Sequence, residues 1–148
     1  MNQIRNIAKY LIYKSNKLNK SITNLELQIL LYALQQEYTK AYNNVLFYDM
    51  IDISTPFPRV NVIYYHFAGF GAMPIEPAIQ FLNNYKQAKK GLTQDCLDTI
   101  NKILPTFLNK PFYEKTKIYT DKDSIYNKAK INKQKEISPF DFLRRPLK

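Results

Sequence analysis

Residues 23–42, TNLELQILLYALQQEYTKAY, constrain this chain more than any other stretch. Leu27, Leu30, Leu31, Leu34, Tyr38 and Ala41 recur at helical spacing and define one long apolar stripe. Leu25, Ile29, Tyr32 and Ala33 widen that stripe beyond what a surface helix carries. A helix apolar nearly all round must be packed on more than one side. The expected fold class is therefore mainly α, a compact helical domain around a central buried helix. Leu27, Leu30, Leu31, Tyr32 and Leu34 are its expected core. The start of the helix is marked locally. Thr23 followed by Glu26 is a capping box, in which the hydroxyl accepts the Glu26 N–H and the carboxylate returns to the Thr23 N–H. Ile22 and Leu27 stand at the two positions of a hydrophobic staple. Asn43-Asn44 predicts an end near Tyr42.

The flanking sequence supplies shorter elements. Ile4, Ile7, Ala8, Leu11 and Ile12 predict a helix over about 2–16. Within residues 45–55, VLFYDMIDI mixes β-branched and aromatic residues in loose alternation, which suits a short strand or an extended crossing. Pro58 fits the first position of a helix, where its missing N–H costs nothing. Val60, Ile63, Tyr64 and Phe67 would form the inward face of that helix, and Gly69 and Gly71 would end it. A further helix is predicted through Ala78, Phe81, Leu82 and Tyr85, closing at Gly91. Thr93 should cap the next, whose stripe runs from Leu97 to Leu108 and which Pro105 should stop or kink after about Ile103. Asp121 or Asp123 should cap 124–131, and 137–143 should add a last short segment against the core. No internal repeat or sustained heptad is present.

Composition narrows the function classes. The chain has 148 residues, near the usual size of a single domain. A chain of this length buries roughly 68–70% of its unfolded surface, enough for a core without staples. With one cysteine, Cys96, and one histidine, His66, neither an internal disulfide nor a structural zinc site can form. A reducing, cytoplasmic setting is expected. The opening residues MNQIRNIAKYLIYKSNK carry neither a long apolar core nor a small-residue cleavage site, so no secretory signal is expected. No run reaches the roughly 18–20 apolar residues of a membrane span. The net charge of +10 is spread along the chain, whereas nucleic-acid binding favours a clustered stripe.

Catalytic chemistry has little to build on. His66 lies among aromatics with no nucleophile motif, and Cys96 falls in the first turn of a helix with no partner motif. Asp49, Asp52 and Glu76 show no metal-ligand spacing, and Gly69-Phe70-Gly71 lacks the strand and third glycine of a dinucleotide fingerprint. The run Tyr64-Tyr65-His66-Phe67 is more informative. Adjacent residues on a helix cannot all face inward, so Tyr65 and His66 should be exposed if Tyr64 and Phe67 pack inside. With Arg59 and Phe70 they make a candidate partner-binding patch of the composition that enriches interface hot spots.

TNLELQILLY at 23–32 is similar to a T-x-L-K-L-Q-K-L-L-Y helix. NVLF at 44–47 resembles the turn before an acidic and aromatic crossing, and PFPRV at 56–60 sits where Y-G-P-V is found. GAMPI at 71–75 resembles a Gly-rich turn closing on N-P-I. In these respects residues 3–75 resemble the Panacea antitoxin domain family, also described as SocA-like or phage-associated proteins. LTQDCLDTINKIL at 92–104 and DSIYNKA at 123–129 are fainter matches to a later helix and a P-W-x-x-A segment. Ile29 replaces a usual Lys and Phe57 a usual Gly, departures that would change the partner if those positions shape the contact surface.

The chain is expected to be a single domain over 1–148, frayed at its last few residues, with no catalytic residue and no metal, and the resemblance implies a helix-rich domain without cofactor. It implies a non-enzymatic module that neutralises a cognate toxin protein directly or escorts it to a protease, with a protease or chaperone as a further partner. The competing expectation is a phage- or mobile-element regulator that meets nucleic acid through its basic surface.

Overall fold

The computed structural model describes residues 2–76 and 84–143. The molecule is mainly helical, with one two-stranded antiparallel sheet among the described residues. Its first helices are α1 (Ile4–Lys17) and α2 (Asn24–Tyr42). Strand β1 (Ile51–Asp52) is followed by α3 (Asn61–His66) and a 3-10 turn (Ala68–Phe70). Then come α4 (Tyr85–Lys90), α5 (Gln94–Asn109), α6 (Phe112–Lys115), α7 (Lys117–Thr120) and α8 (Ile125–Ile131). Strand β2 (Glu136–Ile137) and a second 3-10 turn (Pro139–Phe142) complete the described chain.

Helix α2 is the axis of the core. Leu27, Leu30, Leu31, Tyr32 and Leu34 have no exposed surface. The capping box forms, with the Glu26 N–H donating to Thr23 Oγ1 at 3.1 Å and the Thr23 N–H donating to Glu26 Oε1 at 3.0 Å. The other oxygen of Glu26 meets Lys115 Nζ at 2.7 Å, which ties the start of α2 to α6. Ile22 and Leu27 are both buried at the staple positions. Asn43 ends the helix in the left-handed region at φ 48°, a conformation Asn tolerates better than most residues.

Two buried glutamines on α2 organise the crossing and α3. The Gln35 amide donates to the Phe47 carbonyl at 2.9 Å and accepts the Leu46 N–H at 2.7 Å. Gln28 accepts the Val60 N–H at 2.8 Å and donates to Asn24 Oδ1 at 3.0 Å, and Asn24 donates to the Tyr64 carbonyl at 2.9 Å. Seven residues separate the glutamines, so they share one side of the helix and hold both segments against it.

The crossing resolves as a strand. Ile51 pairs with Ile137 and Asp52 with Glu136, in antiparallel register. Asp52 and Arg59 also exchange both backbone hydrogen bonds, at 2.7 and 2.9 Å. That bridge corrects the expected role of Pro58. With Arg59 held extended against Asp52 and the Val60 N–H taken by Gln28, the helix cannot begin at Pro58 and starts at Asn61. It ends at His66, and only after the 3-10 turn does Gly71 reverse the chain at φ 57°, where a side chain would be strained. Ile75 then donates its N–H to the Ile22 carbonyl at 2.8 Å, returning the segment to the start of α2.

Three further expectations change. Helix α1 starts at Ile4, because the Asn2 side chain is used elsewhere. It accepts the Thr93 N–H at 2.8 Å and donates to Thr93 Oγ1 at 3.2 Å. Helix α5 does not stop near Ile103, one of the two outcomes expected of Pro105, but runs through Pro105 to Asn109. Pro105 and Asn101, whose carbonyl loses its donor, are both exposed, so water can satisfy that carbonyl while the opposite stripe stays packed. The cap of α8 is Ser124 rather than Asp121 or Asp123. Its hydroxyl accepts the Asn127 N–H at 3.0 Å and donates to the Tyr119 carbonyl at 2.7 Å. The predicted helical positions Ala78, Phe81 and Leu82, and the last residues 144–148, lie outside the described residues.

No described helix is long and apolar enough to cross a membrane.

Candidate binding surface

Helix α3 is short, but α2 holds it at two points, Gln28 on the N–H of its N-cap Val60 and Asn24 on the Tyr64 carbonyl in its last turn, so its outward side chains stand on fixed backbone. Arg59, just before it, is the hub of a polar and aromatic cluster. Its Nε donates to Asn61 Oδ1 at 3.1 Å and one terminal nitrogen donates to the Tyr65 hydroxyl at 3.3 Å. The same nitrogen lies 3.7 Å from Asp52 Oδ2. The guanidinium carbon sits 4.3 Å from the Tyr64 ring centre and 5.4 Å from that of Tyr65. Phe57 packs on Tyr64 at 6.0 Å, and the Tyr64 and Tyr65 rings meet nearly edge to face at 78°.

Asp52 completes the cluster. It accepts from Asn61 Nδ2 at 2.9 Å and from the Ser54 N–H and hydroxyl at 2.8 and 2.7 Å. Burial pulls its pKa upward, but the bonds from Asn61 and Ser54 and the Arg59 charge outweigh that, and the carboxyl lies below its ordinary value. The cluster is charge-paired and hydrogen-bonded inside, and its outer edge is Tyr65, 63% exposed.

The four patch residues therefore separate by role. Arg59 and Tyr65 are joined, but the Arg59 side chain is only 13% exposed and supports Tyr65 from behind. His66 is exposed and stands edge-on to Phe67 at 4.7 Å. Phe70 is half-buried against the core, 6.4 Å from Phe67.

Sequence reasoning missed a neighbouring feature. Tyr48 and Phe140, each 56% exposed, stack on one another with ring centres 5.9 Å apart. Tyr48 and Val62 line a cavity of about 330 Å³ with Arg5 and Asp49, whose carboxyl burial pushes above its ordinary value. Outward Tyr48, Met50 and Asp52 against inward Ile51 and Ile53 was a signal for the strand face. Phe140 was signalled by the capping box from Ser138 to Asp141 that presents it.

Residues read for chemistry are placed otherwise. Cys96 is fully buried, and burial pushes its thiol up to about 12, so the reactive thiolate is disfavoured. Its N–H donates to the Thr93 hydroxyl, as a capped first turn requires. Among the described residues, no group of three or more His, Cys, Asp or Glu is placed to hold a metal. Of the lysines near the C-terminal end, Lys130 donates to the Thr55 carbonyl at 3.3 Å and lies 5.5 Å from the Tyr126 ring centre.

No family model matches this chain, no curated protein matches it, and no solved structure matches it.

Proposed function

We propose that this chain is a non-enzymatic protein-binding module of the antitoxin type, acting in the cytoplasm on a toxin protein and meeting it with the face built around α3. One observation carries the reading. An exposed tyrosine is held by a half-buried, charge-paired arginine, on a helix tied to α2 at its start and in its last turn. Tyrosine offers a large contact area at low ordering cost, and a ring already immobilised loses less freedom on binding. Arg59 serves as a positioning residue, and Tyr65 and His66 are the contacts. The resemblance of 3–75 to the Panacea antitoxin domain supplies the partner class. Neutralisation by direct contact and escort to a protease both use such a surface.

The test is co-expression with the product of the adjacent gene. The chain should rescue growth from that product and co-purify with it, and Tyr65→Ala should do neither while keeping the wild-type melting temperature. Rescue that survives Tyr65→Ala would remove the α3 face from the mechanism.

A further inference from the structure

On α2, Ala33 and Glu37 lie about 140° and 180° around the helix from Gln28, at 100° per residue. They therefore face away from the side that holds α3. A groove of about 460 Å³ runs there between α2, α5, α6 and α7. Its floor is apolar. Ala33 is a small side chain on a helix otherwise rich in Leu and Tyr, and Ile103, Phe107 and Ile118 complete the lining. Its rim is basic. Lys102 and Lys110 stand on and just after α5 and form no ion pair among the described residues, and the Lys117 ammonium rests 5.7 Å from the Tyr113 ring centre. Of the acidic groups on the rim, Glu37 meets Lys40 at 3.5 Å, which leaves Glu114 as the one carboxylate there without an ion pair among the described residues. Lys115 contributes no free charge, because Glu26 neutralises it.

We propose that this groove docks an acidic amphipathic helix of a partner protein. The chemistry of the lining selects that occupant. An apolar floor between helices takes the apolar stripe of another helix, read at i, i+3, i+4 and i+7. Lys102 and Lys110 are eight residues apart, about 12 Å along the α5 axis, the spacing of carboxylates two turns apart on the incoming helix. A single-stranded nucleic acid would want exposed rings on which to stack bases. The aromatic ring in this floor, Phe107, is buried and already lies 5.3 Å from the Lys115 ammonium, and the exposed Tyr113 ring beside the rim is already engaged by the Lys117 ammonium. The site is separate from the α3 face and extends the protein-binding reading to a second surface with a defined charge.

The probe is a labelled synthetic peptide with leucines on one helical face and glutamates flanking them. Its counterparts are the same peptide with lysines for glutamates, and an oligothymidylate. Binding to the full chain is read by fluorescence anisotropy. The glutamate peptide should bind and the other two should not. Lys102→Glu with Lys110→Glu should weaken binding at least tenfold, and Lys128→Glu with Lys133→Glu, the same charge change off the groove, should alter it less than twofold. Absence of binding, equal loss in both charge variants, or preference for the oligothymidylate would overturn the proposal. The α3 face is read by a different variant, Tyr65→Ala, so the two readings fail separately.

Discussion

At the scale of single residues, the molecule spends its buried polar groups on fixing backbone. Gln28 is bonded on both sides of its amide in the core, and replacing it with Leu would strand the Val60 N–H and release Asn24. An orphaned buried donor costs about 1–3 kcal/mol. Gln28→Leu is therefore expected to lower the melting temperature, and also to weaken partner binding by loosening the start of α3. Glu26 gives a pH signature. Burial raises its pKa, but Lys115 and the Thr23 cap outweigh burial, so the folded carboxyl titrates below its ordinary value. A lowered folded pKa stabilises the native state above the unfolded value and ceases to do so as pH falls through the folded one. Glu26→Gln should thus be less stable than wild type at neutral pH, and the gap should close below about pH 4. Parallel denaturant titrations at several pH values check this, and a gap independent of pH would contradict it.

At the scale of elements, the readable part of the sequence was the part encoded locally. Helix α2 announces itself through a capping box, a staple and an unbroken apolar stripe, all in or next to its own residues. Leu31→Ala there should cost about 2–5 kcal/mol by thermal or chemical unfolding, as buried large-to-small changes do. A wild-type midpoint would mean that α2 is not the axis of the core. The pairing of β1 with β2 left no local trace, because its partners are remote in sequence and each strand has two residues. The same holds for the buried glutamines, whose acceptors and donors are tertiary, and for Pro105, which is tolerated because its helix face meets water. In the candidate site, the exposure of Tyr65 followed from helical geometry. That Arg59 sits behind it rather than beside it did not, since this depends on Asp52 arriving from β1.

At the scale of the whole molecule, the charge of +10 has to be reconciled with the proposed aromatic contact face. Dispersed lysines steer encounters more than they hold complexes, so neutralising Lys130, Lys133 and Lys135 should mainly slow association at low salt. Contacts to phosphate would instead make affinity fall steeply with salt. The central claim, that the partner is held by the α3 face, is tested most directly by calorimetric titration of the adjacent gene's product into wild type, Tyr65→Ala and the triple lysine variant. The expected result is a loss of about 2 kcal/mol or more, roughly thirtyfold in Kd, for Tyr65→Ala at unchanged melting temperature, with the lysine variant near wild type at moderate salt. Normal binding by Tyr65→Ala, with binding abolished in the lysine variant, would contradict it.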